Sequence, residues 1–188
     1  MGWTLLIVGG VILLIVIFGI VSYNRFVQQR QLIKDAWANI DTELRRRYDL
    51  IPNLVETVRG YASHERTVFE NVTRARAAAA SATGSPAEQA AAEGPLVAAL
   101  RQLFAVVENY PDLKASTNVM QLQEEITTTE NQISFSRQHY NATVLDFNNA
   151  IQTFPAVLVA GILGFAKREF FDAEPEAAEV PKVDLSLS

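Results

Sequence analysis

Four polar residues in the second half of the chain have the spacing of a functional stripe on one helix. Glu130, Arg137, Asn141 and Asn148 are separated by seven, four and seven residues, and such steps bring side chains to one helix face. This polar stripe could hold a ligand or a partner protein. Alternatively, its members pair with each other or with residues 45–49, and so set the register of a helical bundle. We favour pairing, because charged residues beside an apolar seam are usually paired.

The stretch RRRYDLIPN, residues 45–53, is a second concentration of polar groups. Proline is tolerated in a first helical turn, and Asp49 is a candidate cap. The stretch therefore predicts a corner where one helix ends near Tyr48 and the next begins near Pro52. Successive helical residues point about 100° apart, so at least one of the three arginines is solvated. The candidate structural or partner corner comprises Arg46, Arg47, Tyr48, Asp49, Pro52, Asn53, Glu130, Arg137 and Asn141.

Motifs for catalysis and metal binding are missing from the sequence. A di-iron bundle needs Glu-x-x-His on two helices, but Tyr61 and Ser136 stand three residues before His64 and His139. The phosphate-binding, zinc-protease and serine-hydrolase motifs do not occur. There is no cysteine, which excludes disulfides, thiolate metal sites and lipid attachment at cysteine. We therefore expect no enzymatic activity, no cofactor and no metal.

An apolar run near the N-terminus predicts a membrane anchor within residues 1–24. No side chain from Trp3 to Tyr23 is charged, and a helix of that length spans about 30 Å, the thickness of the hydrocarbon core. A cleavable signal peptide fits poorly, because no basic residue precedes the run and no small-residue cleavage site follows it. The predicted anchor residues include Trp3, Leu14, Phe18 and Tyr23. Trp3 and Tyr23 stand at the two ends of the run, where aromatic side chains favour the lipid–water interfaces.

Flanking charge predicts the orientation of the anchor. No Lys or Arg precedes it, whereas Arg25, Arg30 and Lys34 follow. The positive-inside rule then places the N-terminus outside and the C-terminal bulk in the cytoplasm, as a single-pass protein of the cell (inner) membrane. The expected partner is the lipid bilayer. A net charge of −5 does not favour nucleic acid.

Apolar residues recur at steps of three and four along the rest of the chain, which is typical of helices packed in a bundle. Ser85 to Glu88 predicts a capping box with proline in the first turn. Gly94-Pro95 predicts that the first turns of this helix form either a separate short segment or a kink. The longest predicted helix runs from about Thr117 to Thr153. We therefore predict an all-α fold, in which the transmembrane helix continues into a long antiparallel bundle of about four helices over residues 25–154.

Residues 155–172 form a short apolar C-terminal segment, and residues 173–188 an acidic tail predicted to be disordered. No charge occurs from Phe154 to Ala166, yet the run is too short to span a bilayer. It either covers one end of the bundle or forms an exposed patch that meets membrane or another subunit. The candidate apolar patch comprises Phe154, Val157, Leu158, Ile162, Leu163 and Phe165.

Four segments carry a resemblance to a known family: AWANIDTELRRRYDLIPNLVETVRGYASHE, ENYPDLKAS, QLQEEITTTENQISFSRQHYN and FPAVLVAGILGF. By these segments the chain resembles the LemA family from the anchor to Phe171. The resemblance implies a bacterial membrane protein with a short outside N-terminus, one span and a helical bundle. A magnetosome relative suggests membrane shaping, and the signature positions suggest an architectural role.

Two functions are compatible with these observations. The first is a non-enzymatic membrane-anchored scaffold, a homo-oligomer joined through helical faces and the apolar patch, that organises or shapes the envelope membrane. In a variant of this hypothesis the patch enters the bilayer interface and bends it. The alternative is a membrane-tethered adaptor or sensor that binds an unidentified envelope protein through the Arg45–Asp49 corner and the Glu130/Arg137 stripe.

Overall fold

The computed structural model describes residues 2–171, which form six helices and no strand within that range. The predicted all-α fold is confirmed. The predicted acidic tail, residues 173–188, lies outside the described residues. The helices are α1 Gly2–Arg59, α2 Arg66–Ser81, α3 Pro86–Asn109, α4 Pro111–Lys114, α5 Thr117–Ala150 and α6 Ala156–Ile162.

Helix α1 is a single rod of 58 residues that joins the apolar N-terminal run to the bundle. Its apolar end is long and apolar enough to cross a membrane, and none of its most apolar stretch is buried in the protein. The helix first packs inside the protein at Ser22 and Phe26. The shorter helix α3 also has the length and apolarity to cross a membrane, but one third of its most apolar stretch is buried.

The predicted corner between Tyr48 and Pro52 is wrong, because α1 passes through it without a break. A proline inside a helix removes one N–H and leaves the carbonyl four residues earlier without its helical partner. Here that carbonyl belongs to Tyr48, and Arg76 Nε of α2 donates to it at 2.6 Å. The chain turns instead at residues 60–65, between α1 and α2.

The predicted start of α3 is confirmed by its hydrogen bonds. The Ser85 hydroxyl accepts from the Glu88 N–H, and the Glu88 carboxylate accepts from the Ser85 N–H at 2.9 Å. The predicted separate segment before Gly94-Pro95 is wrong, since α3 runs from Pro86 to Asn109 without a break. The alternative, a kink at Pro95, stays a prediction.

Helix α5 packs antiparallel along α1, and two contacts fix their register. Near the apolar end, the rings of Trp37 and Tyr140 lie 5.5 Å apart, and farther along Arg47 meets Glu130. Two clusters of buried side chains fill the bundle. The distal cluster contains residues of α1, α2, α3, α4 and α5, and the proximal cluster lies between α1, α5 and the C-terminal residues. Tyr48 packs against both clusters.

After α5, the short helix α6 returns the chain to the side of α1. Gly164 has φ of +70°, a left-handed conformation that glycine adopts without a steric penalty. The residues beyond it form an extended stretch, residues 165–171, that lies along α1 and α5. Phe165 packs on Phe26 with ring centroids 5.1 Å apart, and Phe171 packs on Trp37 at 5.7 Å.

Candidate functional site

The most buried charged side chain of the described residues is Arg47, which is 1% exposed. Its guanidinium donates to Glu93 of α3 and to Glu130 of α5, so that one side chain of α1 joins three helices. The Tyr48 hydroxyl donates to the second carboxylate oxygen of Glu93. We call these four residues, Arg47, Tyr48, Glu93 and Glu130, the three-helix link.

Burial makes the three-helix link sensitive to the loss of its buried members, Arg47 and Glu93. The side chain of Glu93 is 12% exposed and that of Glu130 is 44% exposed. A buried ion pair of this kind adds little net stability, because desolvation offsets the attraction, but an uncompensated charge left behind is costly. The link therefore specifies how α1, α3 and α5 are aligned.

The electrostatics of Tyr48 suit a hydrogen-bond donor. Burial raises the pKa of its hydroxyl above the ordinary 10.0, while the Arg47 charge lowers it and the Asp41 charge raises it. The hydroxyl is therefore protonated at neutral pH and donates to Glu93. Within residues 2–171 no group of three or more His, Asp or Glu side chains is placed to hold a metal ion.

Sequence reasoning missed Glu93. It stands three residues before Leu96 and seven before Leu100, which are apolar positions of the buried face of α3. A carboxylate in phase with an apolar stripe signals a buried partner, and Arg47 is the cation available to it.

The remaining residues of the predicted corner do not gather in one place. Arg46, Pro52 and Asn53 are exposed. Asp49 lies instead in a groove of about 530 Å³ beside α2, together with Arg45, whose Nε donates to Asp41 at 2.9 Å. Binding of a partner by these residues stays a prediction.

The other end of the polar stripe holds the extended stretch against α5. The Asn141 amide donates to the Phe171 carbonyl and accepts from the Phe171 N–H, both at 2.8 Å. Asn148 makes the same pair of bonds with Arg168, at 2.9 and 2.8 Å. The spacing of seven residues between the two asparagines therefore fits two contacts with one stretch of backbone.

Arg137 and Tyr140 add contacts to the same stretch. The Arg137 guanidinium carbon lies 5.3 Å from the centre of the Phe171 ring. The Tyr140 hydroxyl donates to the Glu169 carbonyl at 3.0 Å, and burial raises the pKa of this hydroxyl above 10.0. Every member of the polar stripe thus contacts another element of its own chain.

Most of the apolar patch is exposed beside the apolar end of α1. Phe154 is 77% exposed, Leu158 60% and Ile162 85%, with Val157 and Leu163 also exposed. Phe165 instead packs inward on Tyr23 and Phe26. The sequence allowed this segment either to cover one end of the bundle or to form an exposed patch. Phe165 covers the end of the bundle, whereas the rest of the patch faces outward.

Comparison with known proteins relates this chain to one family, the LemA family. The sequence model of the LemA family matches residues 36–185, a range that includes the three-helix link and the polar stripe. Magnetosome protein MamQ of Magnetospirillum gryphiswaldense is 26% identical over 187 residues, which cover 86% of this chain and 68% of that protein. Protein LemA of Metamycoplasma hominis is 28% identical over 168 residues, which cover 88% of this chain and 74% of that protein.

Proposed function

The chain belongs to the LemA family, and from this premise we propose that it is a non-enzymatic, membrane-anchored helical scaffold that self-assembles. The apolar end of α1 anchors it in the cell membrane, with the bundle in the cytoplasm. Assembly of many copies organises or shapes the envelope membrane. The similarity to magnetosome protein MamQ supports a role at a membrane structure of this general kind.

The exposed apolar patch beside the anchor carries this proposal. Phe165 contacts Tyr23 and Phe26, and Phe154 lines a groove with Phe18. The patch therefore lies at the height where the apolar run of α1 ends. Copies anchored in one membrane share their orientation, so equal patches meet at equal height, and exposed apolar patches are typical of interaction surfaces.

The test compares two matched double variants of the full-length protein. In mild detergent, light scattering should give a mass well above the 20.8 kDa of one chain, and electron imaging should show a defined particle. Leu158→Glu with Ile162→Glu should dissociate the particle, because charge at an apolar contact is costly to desolvate. Met120→Glu with Phe135→Glu, at exposed positions outside the patch, should leave it intact.

Substitutions are preferable to truncation after Thr153, because truncation also removes the buried contacts of Phe165 and Phe171. A strict monomer at every concentration would contradict self-assembly. Equal dissociation by both double variants would assign assembly to general surface charge, and the patch would lose its role.

A second candidate function is an adaptor or sensor that binds an envelope protein. The groove beside α2 favours it, since Trp37, Tyr48 and Asp49 line it together with several charged groups. Asp49→Arg, at an exposed position, should preserve the helical circular dichroism signal and abolish recovery of one specific membrane protein in a crosslinking pulldown. An unchanged set of recovered proteins would reject this function.

A further inference from the structure

Four cationic side chains line a groove between α1, the turn that precedes α3 and the extended stretch. The groove has a volume of about 540 Å³. The cations are Arg30 and Lys34 of α1 and Lys167 and Arg168 of the extended stretch. Among residues 2–171, Glu169 is the one carboxylate that lines the groove. We call this surface the basic groove.

The cations of the basic groove have no carboxylate within ion-pair distance among residues 2–171. Two of them are nevertheless held in place. The Arg30 guanidinium lies 5.8 Å from the centre of the Phe165 ring, and the backbone of Arg168 is fixed by both bonds to Asn148. A preorganised group of cations that no carboxylate of residues 2–171 neutralises attracts an anion with little ordering cost.

The height of the basic groove above the anchor limits which anion reaches it. Arg30 is seven residues beyond Tyr23, or about 10 Å along the helix axis. Its side chain leans toward the N-terminus of α1, as long helical side chains do, and thus toward the membrane. The lipid headgroup layer extends several ångströms beyond the hydrocarbon core, so a phosphate in that layer is within reach.

Arg168 lies at a similar height from the opposite side. Asn148, which holds it, is eight residues beyond Tyr140 and therefore about 12 Å nearer the anchor along α5. Tyr140 contacts Trp37, which is about 21 Å beyond Tyr23. Arg168 is thus about 9 Å beyond Tyr23 by the same rise per residue, close to the height of Arg30.

We propose that the basic groove binds the phosphate of an anionic phospholipid headgroup in the leaflet that faces the bundle. The proposal depends on the anchoring part of the function above and does not require self-assembly. Guanidinium groups suit the ligand, because they donate in pairs to phosphate oxygens. The bound lipid would tether the end of the bundle to the membrane at a second point beside α1.

The test uses native mass spectrometry of the full-length protein in detergent, with phosphatidylglycerol or phosphatidylcholine of equal acyl chains. Wild type should retain phosphatidylglycerol in preference. Arg30→Gln with Arg168→Gln should weaken that binding about thirtyfold, because each Lys or Arg beside an anionic membrane surface contributes about 1 kcal/mol to the binding free energy and two such cations are removed. Arg74→Gln with Arg101→Gln removes the same charge from exposed sites on α2 and α3 and should leave the binding unchanged.

Two results would overturn the proposal. If both double variants have wild-type circular dichroism and retain phosphatidylglycerol equally, the basic groove is not the binding site. Displacement of the lipid by inorganic phosphate at the ionic strength of a chloride control would assign the groove to a soluble anion. Particle size is measured on the same samples to test self-assembly independently of lipid binding. A monomer that retains the lipid would contradict self-assembly and leave the lipid proposal standing.

Discussion

At the scale of single residues, Arg47 shows how one buried side chain specifies the packing of three helices. Its contacts reach across 46 residues to Glu93 and 83 residues to Glu130. Apolar side chains tolerate several packings of similar free energy, whereas a buried guanidinium accepts only the arrangement in which both carboxylates face it. We therefore attribute uniqueness of register, more than net stability, to the three-helix link.

Removing Arg47 should be far more damaging than removing its more exposed partner. Arg47→Met leaves the Glu93 carboxylate buried without its cation, and we expect a loss of about 3–5 kcal/mol in the free energy of unfolding. Glu130→Gln changes a partner that is 44% exposed and should cost at most about 1 kcal/mol. Urea unfolding of the purified protein measures both, and similar losses would show that Arg47 is not the centre of the link.

The partly buried Tyr48 and the buried Tyr140 should make the fold sensitive to alkaline pH. The pKa values of Tyr48 and Tyr140 are raised above 10.0 by burial, so the unfolded chain releases these protons at lower pH than the folded protein. Their stabilisation is complete below pH 10.0 and is lost as pH rises through the folded pKa values. Urea unfolding across this range should show a steeper decline for wild type than for Tyr48→Phe with Tyr140→Phe. Parallel declines would contradict it.

At the scale of elements, α1 tolerates Pro52 because α2 supplies the missing donor. Arg76→Met should cost about 1–3 kcal/mol in wild type, since it leaves the Tyr48 carbonyl without a partner. In a Pro52→Ala background the restored N–H can reach that carbonyl, so the same change should cost about 1 kcal/mol less. A double-mutant cycle by urea unfolding measures the difference, and strict additivity would show that Arg76 acts through another contact.

Features that depend on residues close together in the sequence were predicted correctly, whereas features that depend on distant residues were not. The capping box at Ser85 and the apolar stripe of α5 depend on residues within a few positions of each other, and both were predicted. The corner at Pro52 was predicted wrongly because the compensating donor, Arg76, lies 28 residues from Tyr48. Glu93 was missed for the same reason, since its partner lies on a different helix.

The extended stretch is an element held mainly by side chains of α5. Asn148→Ala removes both of its bonds to the backbone of Arg168, and we expect trypsin to cleave after Lys167 and Arg168 at least several times faster, because local opening precedes cleavage. Asn149→Ala is the matched control, since that side chain is exposed. Equal cleavage rates in the two variants would show that apolar contacts alone hold the stretch.

At the scale of the whole molecule, the continuity of α1 determines where every other surface lies. A helix that begins at Gly2 and ends at Arg59 leaves no hinge residue between the apolar run and the bundle. The apolar patch and the basic groove therefore keep fixed heights above the anchor, the first near Tyr23 and the second about 10 Å beyond it. This fixed geometry makes lateral contact and lipid contact compatible in one protein.

The orientation of this rod in the membrane is the last prediction. Because the natural chain has no cysteine, a single introduced cysteine reports its own location. Gly2→Cys should react with a membrane-impermeant maleimide in cells whose outer layer is permeabilised and whose inner membrane is still closed. The reason is that the positive-inside rule places the N-terminus outside. Gln102→Cys, at an exposed position of α3, should react only after the inner membrane is opened. The reverse pattern would place the bundle outside, and the cations that follow Tyr23 would then face the outer leaflet.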